Sequence, residues 1–312
     1  MPGTTSSVFH TAERPKTSTP IPGDLVGKKQ NAEVLITDWR PLTDTTHRVL
    51  ARWPHTHGFY KPGPDSYSPL LFTETIRQAL ALLSHTAHHV PLEYRLGWER
   101  YTSSLHPVAL RASGSSPHVE LTVTHREIAA RRKAGPVRLV AKIVATRDGE
   151  PLGTAELHHT AYPPALYDRI RGNHADARQA NLNALPPAPP ASPASVGRTQ
   201  PEDVVLAPTG TPRRWQLRTD TTNRVLFDHP HDHVPGMVLL EAAAQAAQAL
   251  TGPRRIVPVS FLTHFQRYTE LDAPCWIEAA PPQQRHAGTS RTHIRGIQSG
   301  QTTFATQLTF QT

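Results

Sequence analysis

Residues 235–253 read PGMVLLEAAAQAAQALTGP. Proline suits the first turn of a helix and Gly-Pro stops one, so the stretch predicts a helix from Pro235 to about Leu250. Almost every position in it is Ala, Leu, Val or Met, so the helix has no face for solvent and must be enclosed on most sides. Glu241, Gln245 and Gln248 interrupt the pattern at i, i+4 and i+7 and share one face. A carboxylate there is costly unless paired or hydrogen-bonded. The stripe therefore either satisfies backbone groups of the enclosing structure or lines a cavity.

The enclosing structure is legible because the chain repeats itself. WRPLTDTTHRVL (39–50) lies against WQLRTDTTNRVL (215–226) at an offset of 176. Downstream the offset is 167, because the first half carries nine extra loop residues, and 69–107 then aligns with 236–274 without a gap. Glu74 recurs as Glu241, Gln78 as Gln245, and Arg100-Tyr101-Thr102 as Arg267-Tyr268-Thr269. The first half thus has its own buried helix, PLLFTETIRQALALLS (69–84), with Glu74, Arg77 and Gln78 on one face.

Around each helix lie strand-like runs: 118–125, 137–146 and 154–162 in the first half, 275–280, 289–297 and 302–310 in the second. Their alternation predicts half-buried antiparallel strands. A sheet curled around one long helix satisfies both patterns. The expected class is α+β, a double hot-dog with two antiparallel sheets, each wrapped around its own central helix. The expected boundaries are a disordered leader at 1–29, a first repeat at 30–168, a Pro/Ala-rich linker at 169–203 and a second repeat at 204–312.

Composition narrows the function. No apolar run is long enough to span a membrane, and no N-terminal signal core is visible, so a cytoplasmic protein is expected. Cys275 stands alone, which rules out an internal disulfide. The net charge of +8 favours acidic partners such as a phosphorylated metabolite or an acidic carrier protein. ARRKAG (130–135) and PRRI (253–256) are the dense basic clusters, without any nucleic-acid-binding motif, so no nucleic-acid partner is expected.

Immediately before the second helix stands DHPHDHVPG (228–236). His229, His231, Asp232 and His233 can fix a turn, supply an acid–base imidazole, or ligate a metal. Neighbouring side chains on so short a loop diverge, so no metal is expected. Gly236 lets backbone N–H groups at the helix start approach a carbonyl or phosphate.

AEVLITDW (32–39), PLLFTETIRQA (69–79), DHPHDHVPGMVLLEAAAQAA (228–247) and FQRYTELDAP (265–274) together resemble the A-factor biosynthesis (AfsA) family. The resemblance covers both halves, roughly 30–165 and 200–312. It implies a cofactor-free acyltransferase that moves a β-ketoacyl group from acyl carrier protein to the hydroxyl of dihydroxyacetone phosphate, toward a γ-butyrolactone-type signal. The alternatives are an acyl-thioester dehydratase or thioesterase of hot-dog type, and a non-catalytic acyl-ligand-binding regulatory protein.

Two departures from the family pattern matter. The arginine three residues after the helix glutamate is kept at Arg77 but is Ala244 in the second half, and Tyr67-Ser68-Pro69 stands where His-Asp-Pro is usual. By the family's geometry Glu74, Arg77 and Gln78 face Asp228, His229 and His233 in one intact site, with Gly236 supplying backbone donors. A second site sets Glu241 and Gln245 against His55 and His57 without an arginine. A single working centre is expected, in a monomer that contains its own pseudo-dimer.

Overall fold

A computed structural model describes residues 20–61, 63, 65–112, 114–127, 135–285 and 288–312. In the first half, strands β1 (Ile36–Pro41) and β2 (Thr46–Arg52) precede helix α1 (Pro69–Thr86), and β3 (Arg95–Leu105), β4 (His118–Glu127), β5 (Val137–Arg147) and β6 (Glu150–Tyr162) follow it. Helices α2 (Pro164–Arg171) and α3 (Ala177–Leu182) come next. The second half holds β7 (Leu206–Pro208), β8 (Arg214–Leu217), α4 (Gly236–Thr251), β9 (Val257–Phe265), β10 (Cys275–Ala279), β11 (Gln283–Gln284), β12 (Thr289–Gln298) and β13 (Gln301–Gln311).

The order β1-β2-β4-β5-β6-β3 makes the sheet of the first half, and β9-β13-β12-β10-β8-β7 that of the second. They are not separate. Antiparallel β3 and β9 pair from Arg100–His264 to Ser104–Ser260, so the two expected sheets fuse into one continuous antiparallel sheet carrying both helices. This is the double hot-dog architecture, with the internal repeat related across the β3–β9 seam.

Both helices are enclosed for the reason their composition gave. Every residue from Leu70 to Ser84 except Arg77 is buried, and every residue from Met237 to Gln248 except Ala244. The two breaches are the same position in the repeat. Ser68 caps α1, its Oγ accepting the Leu70 N–H, with Pro69 filling the first turn.

The repeat motif does not fold the same way twice. Thr46–Arg52 is a strand between β1 and β4. The equivalent Thr222–Asp228 is a turn-rich loop. Asn223 stands where the first half has His47, and its Oδ1 accepts the N–H groups of Val225 and Leu226 at 3.0 Å each. Asp220 Oδ1 accepts the Thr222 N–H and hydroxyl in the same way. Such side-chain bonds compete with a sheet ladder, so the segment coils and carries 228–233 toward the first half.

The ends of the repeats also differ from expectation. Residues 1–19 of the expected leader lie outside the described residues, as do 130–134 of the ARRKAG cluster. Residues 20–29 are ordered, with a 3-10 helix at Gly23–Val26 and a buried Lys28. The Pro/Ala-rich stretch is not a slack tether: it holds α3, capped by Asp176, 3-10 helices at Pro193–Val196 and Pro201–Asp203, and a buried Arg198, with buried Arg171 at the end of α2. We retain 30–168 and 204–312 as proposed repeat limits.

Candidate active site

Glu74 sits on the inner face of α1, 2 % exposed, and its carboxylate is fully engaged. Arg77 donates to it through Nε at 2.9 Å and a terminal nitrogen at 2.8 Å, Gln78 Nε2 donates at 2.8 Å, and Lys28 Nζ lies 3.3 Å away. Burial alone would raise the Glu74 pKa, but the Arg77 and Lys28 charges outweigh it and hold the group at about 2. Gln78 also ties the helix to the chain before β1: its Oε1 accepts the Leu35 N–H and its Nε2 donates to the Glu33 carbonyl. Gln78 is thus a strut that fixes Glu74, and Glu74, ionised and saturated, orients the Arg77 guanidinium. A carboxylate in that state is a poor proton acceptor, which moves the base role away from it.

Lys28 comes from the segment read as leader. Gly27, at φ +62°, turns the chain so that Lys28 points inward, and a Cβ there would stand 3.1 Å from an Arg77 nitrogen. Lys28 Nζ also reaches the Val225 carbonyl at 3.5 Å, and the Lys29 N–H donates to Asp228 at 2.9 Å. The coiled loop of the second half therefore docks on Lys28 and Lys29 beside the Glu74–Arg77 pair. Asp228 in turn accepts His229 Nδ1–H at 2.5 Å, which leaves Nε2 of that imidazole as the free nitrogen. Burial would raise the Asp228 pKa, but the His229 bond, the Lys29 N–H and the Lys28 charge hold it at about 2. The His231 ring stacks 4.2 Å from that of His229, and burial, then the positive neighbours, push its pKa down to about 3.

His233 departs from the expected arrangement. It belongs to a separate network: Nδ1 donates to Asp232 at 2.9 Å and the ring lies 4.7 Å from Tyr268. Asp232 is anchored by the Tyr167 hydroxyl at 2.6 Å and Arg171 Nε at 3.0 Å, and Arg171 also makes a bidentate pair with Glu270. Arg171 thus clamps α2 against the loop. Gly236, the first residue of α4, packs on the Phe265 ring.

The second centre corrects the expectation that it lacks an arginine. Arg198 pairs with Glu241 through Nε at 2.7 Å and a terminal nitrogen at 2.5 Å, both side chains 5 % exposed or less. Its remaining nitrogen donates to the Phe59 carbonyl at 2.6 Å and its plane lies over the Phe59 ring at 4.1 Å. Gln245 repeats the part of Gln78, bonding Glu241, the Val205 N–H and the Asp203 carbonyl. His57 is held by Glu33 at 3.3 Å and by the N–H groups of Phe59 and Tyr60, and His55 is exposed, so neither meets Glu241. Buried Tyr60 lies within electrostatic reach of both Glu74 and Glu241, so the two centres are neighbours. The first differs in two ways. Its Arg77 side chain remains 23 % exposed, and Lys28 and Arg77 outnumber Glu74, whereas Arg198 and Glu241 cancel in a sealed pair.

A signal for Lys28 and Arg198 was present in the sequence. Val26-Gly27-Lys28 and Val196-Gly197-Arg198 recur at an offset of 170, with Gln30 and Gln200 following. The match lies upstream of the longer repeat at a third offset, inside segments whose Pro and Ser content read as unstructured.

Another expectation fails at the loop. Ligand atoms of Asp228, His229 and His231 lie within 4.8 Å of one another, so these side chains converge. The Lys28 and Arg77 charges act on the same groups and oppose a cation there. Among the described residues the cluster suits an anion-handling site better.

These shifts set the acid response. Unfolded, the His231 imidazole takes its proton near pH 6.5, whereas folded it stays neutral down to about 3, so stability falls as pH drops below 6.5. Glu74 stabilises fully above about 4.5 and its contribution, ~3 kcal/mol, is lost as pH falls toward 2. Thermal unfolding followed from pH 7 to pH 3 should therefore show a midpoint that declines from about pH 6.5 and steepens below 4.5. A midpoint constant over that range contradicts the described pairing.

Both halves of the chain match known proteins. The A-factor biosynthesis hotdog domain matches residues 9–163 and 180–310. A 2-oxo-3-(phosphooxy)propyl 3-oxoalkanoate synthase of Streptomyces virginiae is 38 % identical over 287 residues, covering 91 % of this chain and 95 % of that protein. A synthase of the same name from Streptomyces coelicolor is 36 % identical over 296 residues, covering 94 % and 92 %. Among solved structures, the 12:0-ACP thioesterase from Umbellularia californica superposes with a TM-score of 0.51 at 11 % identity, over 87 % of this chain and 99 % of that one, a likeness of fold alone. With both of its repeats matched and such relatives aligned along nearly its full length, the chain belongs to the A-factor biosynthesis hotdog (AfsA) family.

Proposed function

We propose that this protein transfers a 3-oxoacyl group from an acyl carrier protein thioester to the hydroxyl of dihydroxyacetone phosphate, forming the phosphorylated ester from which γ-butyrolactone-type signals are built. The observation that carries this reading is the meeting of the Asp228–His229 pair with Lys28, Lys29 and the half-open Glu74–Arg77 pair at one of two related centres. Among the described residues that centre alone sets a part-exposed imidazole beside a part-exposed arginine pair, and the named activity of the relatives needs both: a base for a hydroxyl and a cation for a phosphate or an oxyanion.

His229 Nε2 takes the proton of the acceptor hydroxyl as its oxygen attacks the thioester carbonyl. Negative charge passes to the carbonyl oxygen, which Arg77 stabilises, while Lys28 offsets the Glu74 charge behind it. The C–S bond then breaks and the carrier thiolate recovers the proton from the imidazolium. Asp228 fixes the tautomer throughout. The sealed Arg198–Glu241 centre is structural. The carrier docks through the chain's positive charge, the enzyme works as a monomer in the cytoplasm, and neither nucleic acid nor membrane takes part; no helix among the described residues is long and apolar enough to cross a membrane.

The direct test incubates pure protein with a 3-oxoacyl carrier-protein thioester, with and without dihydroxyacetone phosphate, and follows the products by mass spectrometry. The ester mass appears only with the acceptor. Release of free acid at equal rates in both mixtures makes the protein a thioesterase and overturns the proposal. Arg77→Gln should lower kcat by ~100-fold or more, as for loss of one charge-stabilising donor. Near-normal turnover in a folded Arg77→Gln protein removes this centre from the mechanism.

A further inference from the structure

Past the far end of α1, more than ten residues and so over about 15 Å along the helix from Glu74, four histidines gather under the first half's sheet. His47 lies on β2, His125 on β4, His159 on β6, and His88 just beyond α1. Ring centres of His88 and His125 are 4.5 Å apart, those of His47 are 6.1 Å and 6.3 Å from His88 and His125, and His159 stands 6.3 Å from His125. His47, His125 and His159 are each 4 % exposed or less. Nδ1 of His47, both ring nitrogens of His125 and Nδ1 of His159 are buried without a hydrogen-bond partner. Buried polar atoms almost always have partners, so a group of such nitrogens on four adjoining rings calls for a ligand.

We propose that His47, His88 and His125, with His159 as fourth imidazole, bind a divalent transition-metal ion of the zinc type. A zinc–nitrogen bond of about 2 Å puts the ring centres of two tetrahedral ligands about 5 Å apart; no three of these histidines bring their ring nitrogens within 4.8 Å of one another, so closing on one ion takes ring rotation as well as shifts of about an ångström. An all-imidazole set selects zinc, copper, nickel or cobalt over the oxygen-seeking calcium and magnesium. A metal takes the neutral imidazole, the form that burial favours. The ion would pin the end of α1 to three strands of the first half. The second half has Asn223 at the place of His47, so the site occurs once in the repeat.

The test uses the full chain stripped with a chelator. Zinc chloride titrated by calorimetry should bind with one equivalent and raise the unfolding midpoint, and cobalt chloride should give the visible absorption bands of a tetrahedral nitrogen site. His125→Phe should weaken zinc binding by at least ~100-fold. The double variant His229→Ala/His231→Ala should keep the site, which separates it from the loop at 228–231. Absence of cobalt bands and of stoichiometric zinc binding in the wild-type chain overturns the proposal whatever the variants do. Zinc binding lost in the double variant and kept in His125→Phe overturns it equally.

Discussion

His229→Ala lowers kcat by ~10²–10⁴-fold, the usual contribution of a positioned general base, with little change in KM for dihydroxyacetone phosphate. The expectation rests on connectivity. The His229 Nδ1 is committed to Asp228, and Asp228 is itself locked by the Lys29 N–H, so Nε2 is left available on a ring that remains 32 % exposed. Asp228→Asn should produce much of the same loss, because an amide no longer selects the tautomer that leaves Nε2 free. His233→Ala serves as the contrast. That imidazole is held by Asp232 and Tyr268 in the network anchored on Arg171, away from the first centre, and its loss should cost less than about tenfold. Steady-state rates of the three variants, measured with folded protein, decide the matter. If His233→Ala is the crippled variant and His229→Ala is not, the base has been assigned to the wrong imidazole.

Arg198→Ala has its largest effect on stability. The substitution leaves the Glu241 carboxyl 2 % exposed and without its cation, a situation that costs about 3–5 kcal/mol. It also removes the bond to the Phe59 carbonyl that ties the second half to the 55–60 loop of the first. For a chain of this size the unfolding midpoint should fall by roughly 5–8 °C. Arg198→Met combined with Glu241→Met should recover most of the loss, since an apolar pair of similar volume carries no stranded charge. Turnover per folded molecule should hold in both, because the sealed centre takes no part in the chemistry. An Arg198→Ala protein within about 1 kcal/mol of wild type shows that the pair is not closed as described.

Which features were legible follows from the range over which each acts. The helices were readable because enclosure leaves a local mark: 69–84 and 235–250 lack a polar face, and the observed α1 and α4 differ from them by at most two residues at either end. Strands with alternating patterns were found nearly in register, as at 137–146 against Val137–Arg147. β2, β3 and β9 were missed, because each is flanked on both sides by partners or by motif residues that hide the period. The loop equivalent to β2 was obscured for a further reason. Asn223, in the place of His47, helps coil the segment through two side-chain bonds, and the similarity of the neighbouring residues conceals it.

The candidate site shows the same division. Glu74, Arg77, Asp228 and His229 stood out by residue type within the motifs. His233 was grouped with them because it is close in sequence, yet an intervening turn sends it to a different network. Gln78 and Gln245 were ambiguous between a cavity lining and backbone support, and their bonds to Leu35, Glu33, Val205 and Asp203 resolve both as support. Lys28 and Arg198 were passed over because a short Gly-turn motif between prolines gives no periodic signal.

By itself the sequence determined the double hot-dog, the duplicated glutamate helices and the loss of symmetry at position 244, since burial and repetition are written in local composition. Only the tertiary structure decided that the sheets join at β3 and β9, that Lys28 and Arg198 neutralise the two glutamates, and that one centre stays open while the other closes. These outcomes depend on pairs of charges more than forty residues apart, and a buried charge selects its partner by geometry and desolvation, neither of which leaves a periodic trace in the chain.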